Sequence, residues 1–481
     1  MSLNENKPLI SKKSIIAMLA VVLIMILSQI MPLPEGLSRQ GLASICLLLS
    51  AIVLWITEVL PMAISTFLVV VMIPYFCLVS GDVSISAAFG VVWKEFANTV
   101  FFFVLATFAL TAAVSSTNIP KRIASFVLRW AGTSSRKVII GFTMGTAILS
   151  AVMSNVPTCA LFASLGISII KANGDAKPGD TAFGRALMIC IPAGSVLGGF
   201  MTPAGGPTNL VVINFLEQYA GVTVSFLDWM VVGIPLGVIG VLIVSLWSTI
   251  AFKPEPIRPE AIESANKMVA ELGPFDAKEK KTLAIIGLMF VFWISSTWVP
   301  AFNTAAVALI GMVAFFLPGI NVLTWDDFCK EAGWGVLFMI GGVNALAAAI
   351  VSTGAADWLV NTLMSGAADW APITVFLAVS AICCFLHILI PSGPAVAGLA
   401  TVPMIAVAVN CGISPVYLAM IVAFWGAVTY MLPIDAVPLL TYGYGYYTIK
   451  DMVTRSGIFN SIVMIIIAAL LIPALAGILG Y

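Results

Sequence analysis

GGFMTPAGGPTN, Gly198 to Asn209, interrupts an apolar segment where a membrane-spanning helix should continue. Its four glycines and two prolines make an unbroken helix unfavourable. Pro203 and Pro207 each remove a backbone donor, and the glycines admit turns closed to other residues. Backbone freed at membrane depth has to face protein or a water-filled cavity, because lipid cannot satisfy it. Transporters bind their cargo at broken helices of this kind; the bland alternative is a kinked helix packed for structural reasons.

The surrounding composition sets the class. The chain has 481 residues, of which 61% are hydrophobic and 9% charged, which excludes an ordinary soluble protein. Apolar runs of about 17–25 residues recur from Ile15 onward, the length a helix needs to cross the hydrocarbon. They give about eleven spans plus two pairs of segments too short or too broken to be ordinary spans. The formal net charge is zero, so no bulk field points to nucleic acid. The eight cysteines lie mostly in apolar stretches without metal-site spacing and read as small packing residues. The N-terminal MSLNENKPLISKKS leads into a full span without a cleavage site and reads as a cytoplasmic tail.

Positive charge orients the chain. An inside N-terminus puts Lys121, Arg122, Arg129, Arg136 and Lys137 in the cytoplasm, and with them Lys171, Lys177, Arg185, Lys330, Lys450 and Arg455. The loop Lys253 to Lys281 is inside as well, and the C-terminus is outside. An internal repeat appears on this threading. VFFFVLATFALTAAVSSTNIP, from Val100 to Pro120, aligns without gaps on VLFMIGGVNALAAAIVSTGAA, from Val336 to Ala356. An amphipathic stretch follows each, KRIASFVLRW on the inside and DWLVNTLM on the outside, so the repeats are expected to be inverted.

Each copy continues with two apolar arms around a small-polar break: MSNVPT from Met153 to Thr158, and IPSGP from Ile390 to Pro394. These predict re-entrant hairpins. A proline-broken helix follows each, at Thr202-Pro203 and at Leu432-Pro433. Helix N-termini carry about half a positive charge each and suit an anion, while exposed carbonyls suit sodium. Ser154, Asn155 and Thr158 supply polar groups in the first tip, and Ser392 does so in the second. No Lys or Arg falls in these stretches, so an anionic cargo needs dipoles, hydroxyls, amides and a co-bound cation.

WITEVLPMAIST (Trp55–Thr66), SNVPT (Ser154–Thr158), GGFMTPAGGPTN and the pair Gly341-Gly342 together resemble the divalent anion/sodium symporter family, which includes sodium-coupled dicarboxylate and citrate carriers. The resemblance covers nearly the whole chain after about residue 40. It implies an all-α elevator-type transporter working as a homodimer, with scaffold and transport domains. It implies substrate contacts from Ser154, Asn155, Val156, Thr158, Thr202, Pro203, Ser392, Gly393 and Pro394. By the same resemblance Ser150, Ser154, Asn155 and Gly205 form a sodium site, Na+ being the coupling ion with no other cofactor. On this basis residues 1–13 are a cytoplasmic tail and 14–97 scaffold helices. The first inverted repeat is 98–227, with hairpin 138–170 and broken helix 187–220. Scaffold helices with the cytoplasmic loop 253–281 fill 228–318. The second repeat and last helix are 319–481, with hairpin 373–409 and broken helix 415–447.

The second half departs from the family pattern. Pro391, Ser392 and Gly393 stand where a Ser-Asn-Thr motif is expected, and Asp435 stands in a broken helix that is normally uncharged. An acid at membrane depth is functional by default and needs a partner. The only histidine, His387, is the available one. Asp435 has three possible roles: binding sodium, carrying a coupling proton, or meeting a cationic group on a zwitterionic substrate. The fourth possibility is an acid at the cytoplasmic mouth.

Three further features have simpler explanations. Glu58 reads as structural, Asn344 as a bond across helices, and the four tyrosines of TYGYGYYT (Thr441–Thr448) as an aromatic belt. The expectation is a plasma-membrane secondary transporter of a small di- or tricarboxylate, coupled to Na+. Proton coupling or exchange, and an anion channel, are the alternatives. Without an HExxH or GxSxG context, an intramembrane enzyme is disfavoured.

Overall fold

The computed structural model describes residues 12–79, 83–174, 177–261, 272–299, 301–363 and 370–481. Most of the expected N-terminal tail and part of the loop 253–281 lie outside the described residues. The protein is all-α. Nine helical stretches among the described residues are long and apolar enough to cross a membrane, and four shorter apolar helices accompany them.

Four helices come first: α1 (Lys12–Ile30), α2 (Arg39–Thr57), α3 (Met62–Ile73) and α4 (Ile85–Phe96). The next six are α5 (Thr99–Ser115), α6 (Ile119–Ala131), α7 (Ser135–Ser150), α8 (Asn155–Ala172), α9 (Ala182–Met201) and α10 (Pro207–Phe215). Then come α11 (Phe226–Phe252), α12 (Ala277–Ser295), α13 (Thr304–Phe316) and the short α14 (Trp325–Glu331). The element order of α5 to α10 recurs in α15 (Trp334–Ser352), α16 (Ala355–Leu363), α17 (Pro372–Leu389), α18 (Gly393–Asn410), α19 (Pro415–Ala427) and α20 (Ala436–Gly443). A π-helical segment, Met452–Gly457, leads into α21 (Ile458–Ile478).

Local chemistry fixes the helix starts. Ser38, Ser84, Ser134 and Thr181 each accept a backbone N–H of the first turn that follows. Ser225 with Asp228, and Asp276 with Glu279, form reciprocal capping boxes at α11 and α12. The loop after α11 is stitched down as well: Glu255 accepts the N–H groups of Ala182 and Phe183 at the start of α9, at 3.1 and 2.9 Å.

The helices form two compact units. One contains residues 1–98 and 334–368, hence α1–α4 with α15 and α16; the other contains residues 99–333 and 369–481. In the first unit α15 lies on α3 and α4, with Gly341 against Phe96 and Gly342 against Thr66. Glu58 ends α2 in the left-handed region (φ 49°) and lines a cavity of about 380 Å³ with Trp55 and Ser65. In the second unit α9 is the core: 94% of its apolar window is buried, against 33% for the last span that ends in α21. Helices α7 and α9 meet at backbone distance, since a Cβ on Gly198 would stand 2.1 Å from the Ala147 carbonyl oxygen.

Three local expectations change. The hairpin arms are 16 and 18 residues in the first copy and 18 and 18 in the second, so three of the four are as long as spans and only α7 is short as expected. Asn344 is buried with neither side-chain polar atom hydrogen-bonded among the described residues, so the expected bond across helices is not made there. Of the four tyrosines, Tyr446 and Tyr447 are buried, and the Tyr447 hydroxyl donates to the Pro438 carbonyl at 3.1 Å. Part of that run is packing rather than interfacial belt.

Candidate functional site

Both hairpin turns and both helix breaks belong to the second unit. The first turn, residues 151–154, separates α7 from α8. At its edge the Ser150 hydroxyl donates to Asn155 Oδ1 at 2.8 Å and lies 3.2 Å from Ser195 Oγ, which itself donates to the Asn155 carbonyl at 2.7 Å. The Asn155 amide rests on Gly199, where a Cβ would be 2.2 Å from Oδ1. Any other residue at 199 would displace the amide.

The first break follows from Met201. Thr202 is extended, Pro203–Gly205 form one 3-10 turn, and α10 restarts at Pro207. The Thr202 hydroxyl donates to the Ala151 carbonyl at 2.5 Å and accepts from the Gly205 N–H at 3.0 Å, tying the break to the first turn. Asn209 Nδ2 donates to the carbonyls of Gly199 and Thr202 at 2.7 and 2.8 Å, pairing acceptors that the break has freed. Its Oδ1 is buried without a hydrogen-bond partner among the described residues. At Gly205 a Cβ would approach the Gly199 and Ser150 carbonyl oxygens at 2.7 and 3.0 Å.

Ser150, Asn155 and Gly205 therefore come together, with Gly199 and Asn209 among them. The oxygens present are hydroxyl, amide and backbone carbonyl, a donor set that suits sodium. Ser154 stands at the end of this group, where its backbone N–H donates to Thr111 Oγ1 at 2.9 Å. Thr158 turns inward and donates to the Ser154 carbonyl at 2.9 Å, whereas Val156 is 38% exposed at the start of α8.

The second turn reaches the same region. Gly393 packs against the Gly426 carbonyl at the end of α19 and the Thr208 hydroxyl of α10; a Cβ would come within 2.3 and 2.7 Å of them. Ser392 is extended before α18, and Pro394 occupies the first turn of that helix. The second break runs from Val428 to Asp435, and Cys159 of α8 contacts the Val437 carbonyl just beyond it at 3.7 Å. Four helix N-termini thus point from turns or breaks: α8, α10, α18 and α20. The first three have no side-chain cap. The fourth is capped by Asp435, whose Oδ1 accepts the Val437 N–H at 3.1 Å.

Asp435 and His387 do meet. His387 Nε2 lies 3.6 Å from Asp435 Oδ2, and Nδ1 is 2.5 Å from the Trp425 carbonyl oxygen. His387 is 2% exposed and the Asp435 side chain 17%, so the acid is not in open solvent. Trp425 is held in turn, its indole N–H donating to Ser380 Oγ at 2.7 Å.

Ser195 and Asn209 were not picked out by the sequence argument. The signal for Asn209 was present, as a polar amide in the first turn after Pro207; Ser195 carried none beyond lying one turn before Gly199.

Residues 12–480 match the family described as the sodium:sulfate symporter transmembrane region. A sodium-dependent dicarboxylate transporter of Staphylococcus saprophyticus is 27% identical over 95% of this chain and 91% of its own length. One from Staphylococcus aureus is 26% identical over 99% and 95%. A membrane protein of Cupriavidus necator is 28% identical over 84% and 81%. Among solved structures, the YdaH transporter of Alcanivorax borkumensis aligns with a TM-score of 0.60 at 11% identity, covering 87% of this chain and 98% of that one. That likeness speaks for the fold alone.

Proposed function

The chain belongs to the sodium:sulfate symporter family and is a carrier rather than an enzyme; on that premise we propose that it moves a small di- or tricarboxylate across the plasma membrane together with Na+. The observation that carries this is the gathering of two hairpin turns and two helix breaks in one unit, with three helix N-termini free of any side-chain cap. Uncapped N-termini hold carboxylates through backbone N–H groups and the helix dipole. No Lys or Arg lies in either hairpin turn or in either break, so a dianion bound there gains its remaining neutralisation from a cation bound alongside it. The oxygen cluster of Ser150, Asn155, Gly205 and Asn209 is the place for that sodium.

Ser154, Asn155 and Thr202 from the first repeat, with Ser392 and Gly393 from the second, line the substrate. The names of the staphylococcal relatives support both the sodium and the dicarboxylate. The repeats are inverted, the N-terminus is cytoplasmic and the C-terminus external, and a homodimer with an elevator movement of the hairpin-bearing domain carries out transport.

Counterflow in proteoliposomes against succinate, citrate, tartrate, sulfate and a zwitterionic amino acid, with and without Na+, tests this. Saturable, Na+-dependent exchange of a dicarboxylate or tricarboxylate is expected. Preference for the amino acid, or equal exchange without Na+, would defeat it.

A further inference from the structure

We propose that His387 and Asp435 together bind one proton that is transported alongside the substrate and Na+; this rests on the carrier reading above.

The tautomer is fixed by geometry. A carbonyl oxygen only accepts, so the 2.5 Å contact from His387 Nδ1 to the Trp425 carbonyl makes Nδ1 the donor. The neutral ring then presents the Nε2 lone pair to Asp435 Oδ2 at 3.6 Å, two acceptors facing each other with no hydrogen between them. His387 Nε2 is buried and has no hydrogen-bond partner among the described residues. One proton resolves this arrangement: placed on Nε2 it gives an imidazolium that donates toward Oδ2, and its release to water restores neutral imidazole and free carboxylate. Asp435 meanwhile keeps its other oxygen on the Val437 N–H.

Other titratable groups do not supply this charge. On α17 and the second break the neighbours are Cys383, Cys384 and Tyr430, and on α8 the neighbour is Cys159; all are neutral through the physiological range. Packed against α17, helices α18 and α21 carry no Asp, Glu, Lys, Arg or His, and α19 has only Tyr417, in its first turn. Lys171 of α8 and Arg185 of α9 each stand 16 residues from the turn or break end of their helix, a rise of roughly 24 Å.

The pair lies next to the anion-binding ends: His387 is in the last turn of α17 before the second hairpin turn, and Asp435 caps α20. A substrate carboxylate at the neighbouring N-termini adds negative charge and favours the proton, and by linkage the proton favours the substrate. Substrate and proton therefore bind and move together.

The experiment uses full-length protein in proteoliposomes with an internal pH dye, labelled succinate as probe and a fixed Na+ gradient. In the wild type, succinate uptake is expected to acidify the lumen. Its apparent KM is expected to rise about tenfold as the medium is made more alkaline. His387→Gln retains a donor for the Trp425 carbonyl but cannot take up a proton. It is expected to retain Na+-driven uptake only at the raised KM of the wild type in alkaline medium, to lose the dye response, and to change its KM less than about twofold with pH. Asp435→Asn provides the second arm if His387→Gln does not fold. Na+-driven uptake in the wild type with no dye response, and with a pH profile that both variants share, overturns the proton proposal and leaves the carrier reading standing. Absence of Na+-driven flux at every pH overturns both.

Discussion

Gly199 separates a cation-site role from a packing role in one substitution. In Gly199→Ala the new Cβ would stand 2.2 Å from Asn155 Oδ1, 2.7 Å from Nδ2 and 2.8 Å from Cγ. The obstacle is the end of a side chain, so the amide swings away while α9 stays in place. That motion forfeits the 2.8 Å bond from Ser150, about 1 kcal/mol. Residual overpacking adds about 1 kcal/mol or more. The overpacking is felt with the site empty or occupied, so about 1 kcal/mol of the loss falls on the cation, roughly a fivefold rise in half-saturating Na+. Gly198→Ala is the contrasting variant: its Cβ meets the Ala147 carbonyl oxygen at 2.1 Å and Cα at 2.5 Å, which are backbone atoms, so α7 and α9 have to part. Na+ activation of uptake, read beside thermal unfolding in detergent, distinguishes them. Gly199→Ala is expected to fold and lose Na+ affinity, and Gly198→Ala to lose folded protein. A well-folded Gly199→Ala with unchanged Na+ activation would refute the reasoning.

Further outcomes follow from other contacts. Asn209→Ala leaves the Gly199 and Thr202 carbonyls unpaired at about 1–3 kcal/mol each, so a lower Tm and weaker Na+ activation are expected together. Arg122 grips the fully buried carboxylate of Glu279 through two bonds, of 2.7 and 2.9 Å. Arg122→Ala is expected to lower Tm sharply, and adding Glu279→Gln to recover much of the loss, because the buried charge is then gone. Burial raises the Glu255 carboxyl, but the N–H groups of Ala182 and Phe183 and the charge of Arg185 outweigh it and hold the group below its ordinary value. A lowered carboxyl stabilises the fold above its unfolded value of about pH 4.3 and loses that contribution as pH falls through the folded value. Tm measured against pH is expected to fall more steeply below about pH 4.5 in the wild type than in Glu255→Gln.

Much of this was legible in the chain, for identifiable reasons. Proline and glycine act locally, so the break at Gly198 to Asn209 and the turn at Met153 to Thr158 could be placed from composition alone. Apolar run length gave the class. The lone acid and lone histidine could be paired in advance because the apolar stretches offered no other partner. What escaped depends on distant chain segments meeting. Thr202 bonds the Ala151 carbonyl across 51 positions, and Ser195 meets Asn155 across 40. Neither bond has a local signature. Tyr447 looked interfacial because composition does not say which side of a helix end is covered. The grouping of α15 and α16 with α1–α4 likewise follows from packing, whereas the repeat alignment follows from sequence similarity.

Uphill movement is the central claim. Proteoliposomes loaded with the labelled carboxylate at the same concentration inside and out, then given an inward Na+ gradient, test it directly. Accumulation above the external concentration, abolished when the Na+ gradient is collapsed, is the predicted result. Flux that never exceeds equilibration, whatever the cation gradient, would contradict it and indicate a channel.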